Sequence, residues 1–188
     1  MDIGTVIFSV SMVWLASEIL LALLLRAKPT DIRRDDSSQK MLWIVIAISG
    51  SAGIFLGLQR FGRFGASSAL FQTAGIVLIV FGMVVRWTAV LTLRRQFTVD
   101  VAITEHHQLI KWGVYRYLRH PAYAGLLIAF LGLGLSFASY ISVAVIVIPI
   151  VVAFLHRIRI EERVLIDHFG SEYTNYCAST KRLIPFVY

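Results

Sequence analysis

The sequence is short of thiols and of charge, and each shortage removes a class of protein. Cys177 is the single cysteine, so no internal disulfide can form, and the redox compartment stays open. Charged residues make up 15% of the 188 positions, against about 25% in ordinary soluble domains. Hydrophobic residues make up 57%, and the mean hydropathy is +0.75. One soluble core of this length cannot hide so much apolar surface, so lipid is the natural solvent. Acidic residues are also few, 11 against 18 basic ones, giving a net charge of +7. In a soluble chain that excess would suggest nucleic acid; here it reads as orientation beside anionic headgroups, with no nucleic-acid partner. The start has no basic segment, since Met1 and Asp2 lead directly into an apolar run. That run is too long for a signal-peptide core and has no small-residue cleavage site, so it is expected to remain as an anchor.

Long apolar runs are what the sequence has in quantity. Crossing about 30 Å of hydrocarbon takes roughly 20 apolar residues. Candidate spans run over 3–25, 41–58, 69–93, 123–137 and 140–155. Glu18 and Arg86 interrupt the first and third. The last two are short and joined by only Ser136 to Tyr140, and Pro149 is expected to kink the fifth. Three segments are rich in Lys and Arg, with five each: 26–40, 94–119 and 157 onward. The 59–68 turn has only Arg60 and Arg63. Five spans with the N-terminus outside put all three rich segments on the cytoplasmic side. The expected fold is therefore all-α, with about five transmembrane helices and a catalytic region on the cytoplasmic face. Residues 1–93 form the N-terminal membrane helices. Residues 94–188 hold two further spans, a linker and a helical tail.

The Leu-Gly-Leu-Gly-Leu run at 131–135 is not a dinucleotide fingerprint, because the third glycine, the preceding strand and the acidic partner are missing. Small residues at a helix–helix contact explain it better. His106-His107 has no carboxylate or thiol at ligand spacing, so no metal is expected. The 26–40 loop and the 60–68 turn read as plain connectors. Two polar segments remain, 94–123 and 156–188, and both lie on the same expected face. The second starts as an amphipathic helix in which Arg157 and Glu161 are four apart and share one side. The cluster from Arg157 to Arg163 is more charge than anchoring needs, and ionisable groups at membrane depth are costly and tend to be functional.

These two segments resemble the isoprenylcysteine carboxyl methyltransferase family. The resemblance rests on His107-x-Leu109, Gly113-x-Tyr115 and Arg119-His120-Pro121-x-Tyr123-x-Gly125. It continues in Arg157-x-x-x-Glu161-Glu162-x-x-Leu165, Phe169-Gly170-x-Glu172-Tyr173-x-x-Tyr176 and Arg182-Leu183-Ile184-Pro185-Phe186. It covers roughly the second half of the chain. It implies S-adenosylmethionine as cofactor and methyl transfer to the carboxylate of a prenylated cysteine or similar lipid-modified substrate entering from the bilayer. By position, His107, Gln108, Leu109 and Ile110 would line the cofactor. Tyr115 and His120-Pro121-Ala122-Tyr123 would close around it, Glu161 would bind its charged or ribose groups, and Arg157 would face the substrate carboxylate.

The residues also admit simpler roles. Trp112, Tyr117 and Tyr123 suit an interfacial aromatic belt. Arg116 and Arg119 suit orientation, and Pro121 suits the first turn of a helix. Among enzymes, a related membrane fold methylates lipid amines, but an amine must first lose a proton and Arg157 is a poor neighbour for it. A membrane sterol reductase would bind NADPH instead. A small transporter would place polar groups at the midplane of several spans, whereas here they collect at one border.

Overall fold

A computed structural model describes residues 2–25, 32–35, 37–65, 68–93, 101–103, 108–185 and 187, with 32–35 and 101–103 as backbone only. The helices are α1 (Ile3–Leu24), α2 (Ser37–Leu58), α3 (Ser68–Leu93), α4 (Pro121–Ser136), α5 (Tyr140–Phe169) and α6 (Ser171–Ser179). Four of them, α1, α2, α3 and α5, are long and apolar enough to cross a membrane. The protein is an integral membrane protein. The small addition to an all-helical plan is an antiparallel backbone pair, β1 (Ile32–Asp35) with β2 (Val101–Ile103), in the register Ile32 to Ile103.

The expected spans lie on these helices, with two differences. Four helices, against about five expected, are long enough to cross by themselves, since α4 is as short as its apolar run, and α5 runs past its expected end. With 16 residues, α4 extends only about 24 Å. Its far end nevertheless reaches the turn after α2, where Phe64 N–H donates to Ala138 O at 2.8 Å and Tyr140 N–H to Gly62 O at 3.0 Å. The second difference is that α5 does not end near Leu155. It continues for 30 residues, about 45 Å, through Pro149 and out of the apolar run, until Gly170 at φ +55° stops it. The tail helix read from the sequence is therefore continuous with the fifth span.

Glycine decides how closely α3 and α4 pack. A Cβ on Gly82 would meet the Gly125 carbonyl oxygen at 2.5 Å, and one on Gly132 would meet the Gly75 oxygen at 2.6 Å. Two such contacts, seven residues apart on each helix, bring the backbones together as small residues do in lipid. Gly134 instead faces Val143 across the α4–α5 turn. The small-residue reading of the 131–135 run is thus borne out. Against this pair, α1 packs on α3 and α2 on α5.

The β1–β2 pair ties the 26–40 segment to the 94–119 segment. The C-terminal segment joins the same face, where Arg119 N–H donates to Lys181 O at 2.7 Å and His120 N–H to Arg182 O at 3.0 Å. The three segments rich in basic residues therefore meet at one end of the helices, and the 59–65 and 137–139 turns meet at the other.

Candidate active site

Polar side chains gather where α4 begins and where α5 leaves the apolar run. Pro121 occupies the first position of α4, where a missing N–H costs nothing. His120 precedes it and is 4% exposed. One residue further than a Pro-Ala step, Tyr123 turns its ring between His120 and Phe154, with centroids 5.7 and 5.1 Å away.

The Tyr123 hydroxyl links the two α5 residues singled out from the sequence. It donates to Glu161 Oε2 at 2.8 Å and accepts from Arg157 Nε at 3.1 Å. Arg157 is 2% exposed, and its Nη1 donates to Ser38 Oγ at 3.2 Å. A guanidinium buried this deeply must be hydrogen-bonded, and α2, α4 and α5 each contribute to holding it. Arg157 stands about 26 Å along α5 from Tyr140, near the limit of the hydrocarbon.

The neighbouring carboxylate does something different. Consecutive residues on a helix point about 100° apart, so Glu162 turns away from Glu161. It accepts from Arg119 Nε at 3.0 Å and from Arg182 Nη2 at 2.7 Å, with His120 Nε2 at 3.4 Å. Arg119 also donates to the carbonyls of Cys177 and Thr180. Tyr176 donates to the Tyr115 carbonyl at 2.6 Å. These bonds clasp the C-terminal segment onto the start of α4. Burial pushes the ionisation of Tyr173 and Tyr176 far up, so both stay neutral. Burial also raises the Cys177 thiol, which argues against an activated nucleophile there.

The cavity beside Arg157 and Glu161 has a volume of about 980 Å³. Of the residues named from the sequence, Gln108, Leu109, Ile110, Tyr115, His120, Ala122, Tyr123, Arg157 and Glu161 line it. Pro121 is buried behind that wall, and His107 lies outside the described residues. Tyr115 sits in the turn Gly113–Arg116, which starts at a glycine with φ +62°. Burial, then the Glu161 charge, raise its phenol, so it remains a neutral hydrogen-bond donor.

The sequence reading missed Ser38, a serine in a polar connector that carries no signal of its own. It noted Glu18 and Arg86 only as interruptions. They form a buried pair between α1 and α3, with Nη2 to Oε2 at 2.9 Å, and both line the same cavity. A charge of each sign inside an apolar run was the available clue.

Residues 75–167 match the model of the isoprenylcysteine carboxyl methyltransferase (ICMT) family. Protein-S-isoprenylcysteine O-methyltransferase A of Arabidopsis thaliana is 35% identical over 115 residues, 60% of this chain and 58% of that protein. The protein-S-isoprenylcysteine O-methyltransferase of Saccharomyces cerevisiae is 30% identical over 136 residues, 71% of this chain and 56% of that one. The chain thus spans a little over half the length of these curated relatives. The solved structure of a eukaryotic intramembrane Ras methyltransferase, ICMT, superposes with a TM-score of 0.56 at 24% identity. That match covers 82% of this chain and 55% of the other, and it speaks for the fold alone. The matched segment runs from Gly75 in α3 to Asp167 near the end of α5, and over it the chain carries the pattern of the isoprenylcysteine carboxyl methyltransferase family.

Proposed function

We propose that this protein transfers a methyl group from S-adenosylmethionine to the carboxylate of a prenylated cysteine, or of a similar lipid-modified substrate, at the membrane border. One observation carries the reading. The Arg157–Tyr123–Glu161 chain stands at one end of a cavity that continues between apolar membrane helices. An acceptor with a carboxylate at one end and an isoprenoid at the other matches that division.

The residues present suit the cofactor. Glu161 offers a carboxylate, 30% exposed, to a cationic or ribose group. Tyr115 and His120 offer polar edges, and Leu109, Ile110 and Ala122 give an apolar wall. Gln108 extends the same wall, and His107, its neighbour in sequence, is proposed to serve the same cofactor. When bound, S-adenosylmethionine supplies an electrophilic methyl group on a positively charged sulfur.

The remaining work falls to the chain. A carboxylate is already a nucleophile, so no general base is needed. Placement and exclusion of water are, and placement alone can supply about 7–11 kcal/mol. Arginine suits the orientation of a carboxylate because its donors form a rigid fork. Held by Tyr123 and Ser38, Arg157 orients the acceptor without moving to neutralise it. Glu161 balances positive charge on the cofactor side, and Tyr123 keeps the two opposite charges in one geometry. An amine acceptor would meet Arg157 as a like charge, which favours the carboxylate. On this reading residues 1–93 supply membrane helices that wall the cavity and residues 94–188 the catalytic region. The basic face is cytoplasmic, with the N-terminus outside.

The test is labelled methyl transfer by the purified full chain in detergent to a farnesylated cysteine analogue. A base-labile labelled ester is expected. Cofactor binding in calorimetry without methylation of the analogue rejects this acceptor and leaves the fold untouched. Absence of cofactor binding rejects the reading. Arg157→Ala should abolish transfer while cofactor binding persists. Glu161→Ala should weaken the cofactor by about tenfold or more, since a hydrogen bond to a charged group is worth about 1.5–3 kcal/mol. The reverse pattern would show the two roles exchanged.

A further inference from the structure

The cavity does not end with the proposed methyl-transfer site. Along α2 it is lined from Gln39 to Leu58, about 28 Å of helix, and along α1 from Glu18 back to Gly4. This is the full apolar depth of a bilayer. Since α1 packs on α3 and α2 on α5, the stretch between α1 and α2 is a groove with exposed apolar side chains such as Phe8 and Leu58.

At its far end the groove meets two cations. Arg60 and Arg63, in the turn after α2, line it together with Gln72 from α3. Among the described residues no carboxylate pairs with either arginine. Arg60 also has φ +62°, a left-handed backbone that a residue with a Cβ adopts at a cost. The charge rule gives no reason for arginines at this end, opposite the basic face. A prenylated acceptor cannot use them, because its anion would sit at Arg157 and its tail carries none.

We propose that the far half of this groove holds an anionic glycerophospholipid of the leaflet opposite the site, with its phosphate on Arg60 and Arg63 and an acyl chain between α1 and α2. Arginine is suited to a phosphate through paired donors, and the apolar groove below suits the chain. The lipid completes the wall that α1 and α2 leave open.

The experiment uses the full chain in neutral detergent, titrated with phospholipids brominated on their acyl chains, because Trp14 and Trp43 line the groove and bromine quenches their fluorescence. Phosphatidylglycerol should quench at a concentration about thirtyfold lower than phosphatidylcholine with the same chains, as expected for two basic residues at about 1 kcal/mol each near a lipid surface. Arg60→Gln with Arg63→Gln should remove that preference, and Arg60→Lys with Arg63→Lys should keep it, which separates loss of charge from misfolding. Equal quenching by the two lipids overturns the proposal. So does a preference that survives the glutamine variant, which would place the anionic lipid on the opposite, basic face. Dimerisation that excludes the bromolipid overturns it in favour of a second copy of the chain. No methyl donor enters the measurement, so its failure leaves the functional reading intact.

Discussion

Replacing Tyr123 with phenylalanine removes one oxygen atom and tests the centre of the site. The ring keeps its place against His120 and Phe154, so packing is preserved. The hydroxyl, however, makes two bonds to charged groups, one to Glu161 at 2.8 Å and one from Arg157 at 3.1 Å. Hydrogen bonds to charged groups contribute about 1.5–3 kcal/mol each. The two share one oxygen and are coupled, and Arg157 retains Ser38, so we take the value of one bond rather than two. That predicts a fall in kcat/KM of roughly 10- to 100-fold, at 1.4 kcal/mol per factor of ten. The assay is initial-rate methyl transfer to the prenylcysteine analogue at varied cofactor and acceptor, with cofactor affinity measured separately by calorimetry. Loss is expected on both axes, because the hydroxyl serves the cofactor-side carboxylate and the acceptor-side guanidinium together. A Tyr123→Phe protein with kcat/KM and cofactor affinity within twofold of the parent would refute the argument. The link would then be incidental to packing.

Two further outcomes test the scaffold. Glu162→Gln removes the charge that gathers Arg119, Arg182 and His120. Breaking a buried pair from one side costs about 3–5 kcal/mol, so the C-terminal segment should loosen. Limited proteolysis should then cut at Lys181 or Arg182 far sooner than in the parent, and an unchanged cutting rate would remove Glu162 from its role as a clasp. Gly125→Leu places a side chain where a Cβ alone meets the Arg86 backbone nitrogen at 2.7 Å. Overpacking of this kind costs about 1–3 kcal/mol or more. The variant should therefore melt at a lower temperature in detergent, whereas Gly65→Ala, with open space around it, should not.

Part of this was legible in the residues themselves. Apolar run lengths located α1, α2 and α3 to within a few residues, because a helix in lipid has to satisfy its own backbone over a set thickness. The same logic blurred α5. Its amphipathic tail looked like a separate helix because polarity changes at His156, yet no proline or glycine stands between His156 and Gly170, and the helix continues. Arg157 and Glu161 could be named together because four-residue spacing places them on one side of a helix. Ser38 could not, since nothing local marks a serine that a distant helix will bury.

The sequence by itself therefore determined the solvent, the helices, the face on which charge collects and the membership of α4 and α5 in one family pattern. The first three follow from composition and from spacing along one chain, and the last from the motifs that resemble the family. Only the tertiary structure decided which partner each charge receives. Glu161 and Glu162 are adjacent and chemically identical, yet the first faces the cavity through Tyr123 and the second clasps the C-terminal segment. Helix rotation separates them, but what waits on each side comes from residues 20 to 43 positions away. The tertiary structure also set the depth of the site. Glycines on α3 and α4 let two backbones touch, and with α1 and α2 packed on different partners, a groove remains open from Arg157 to Arg60.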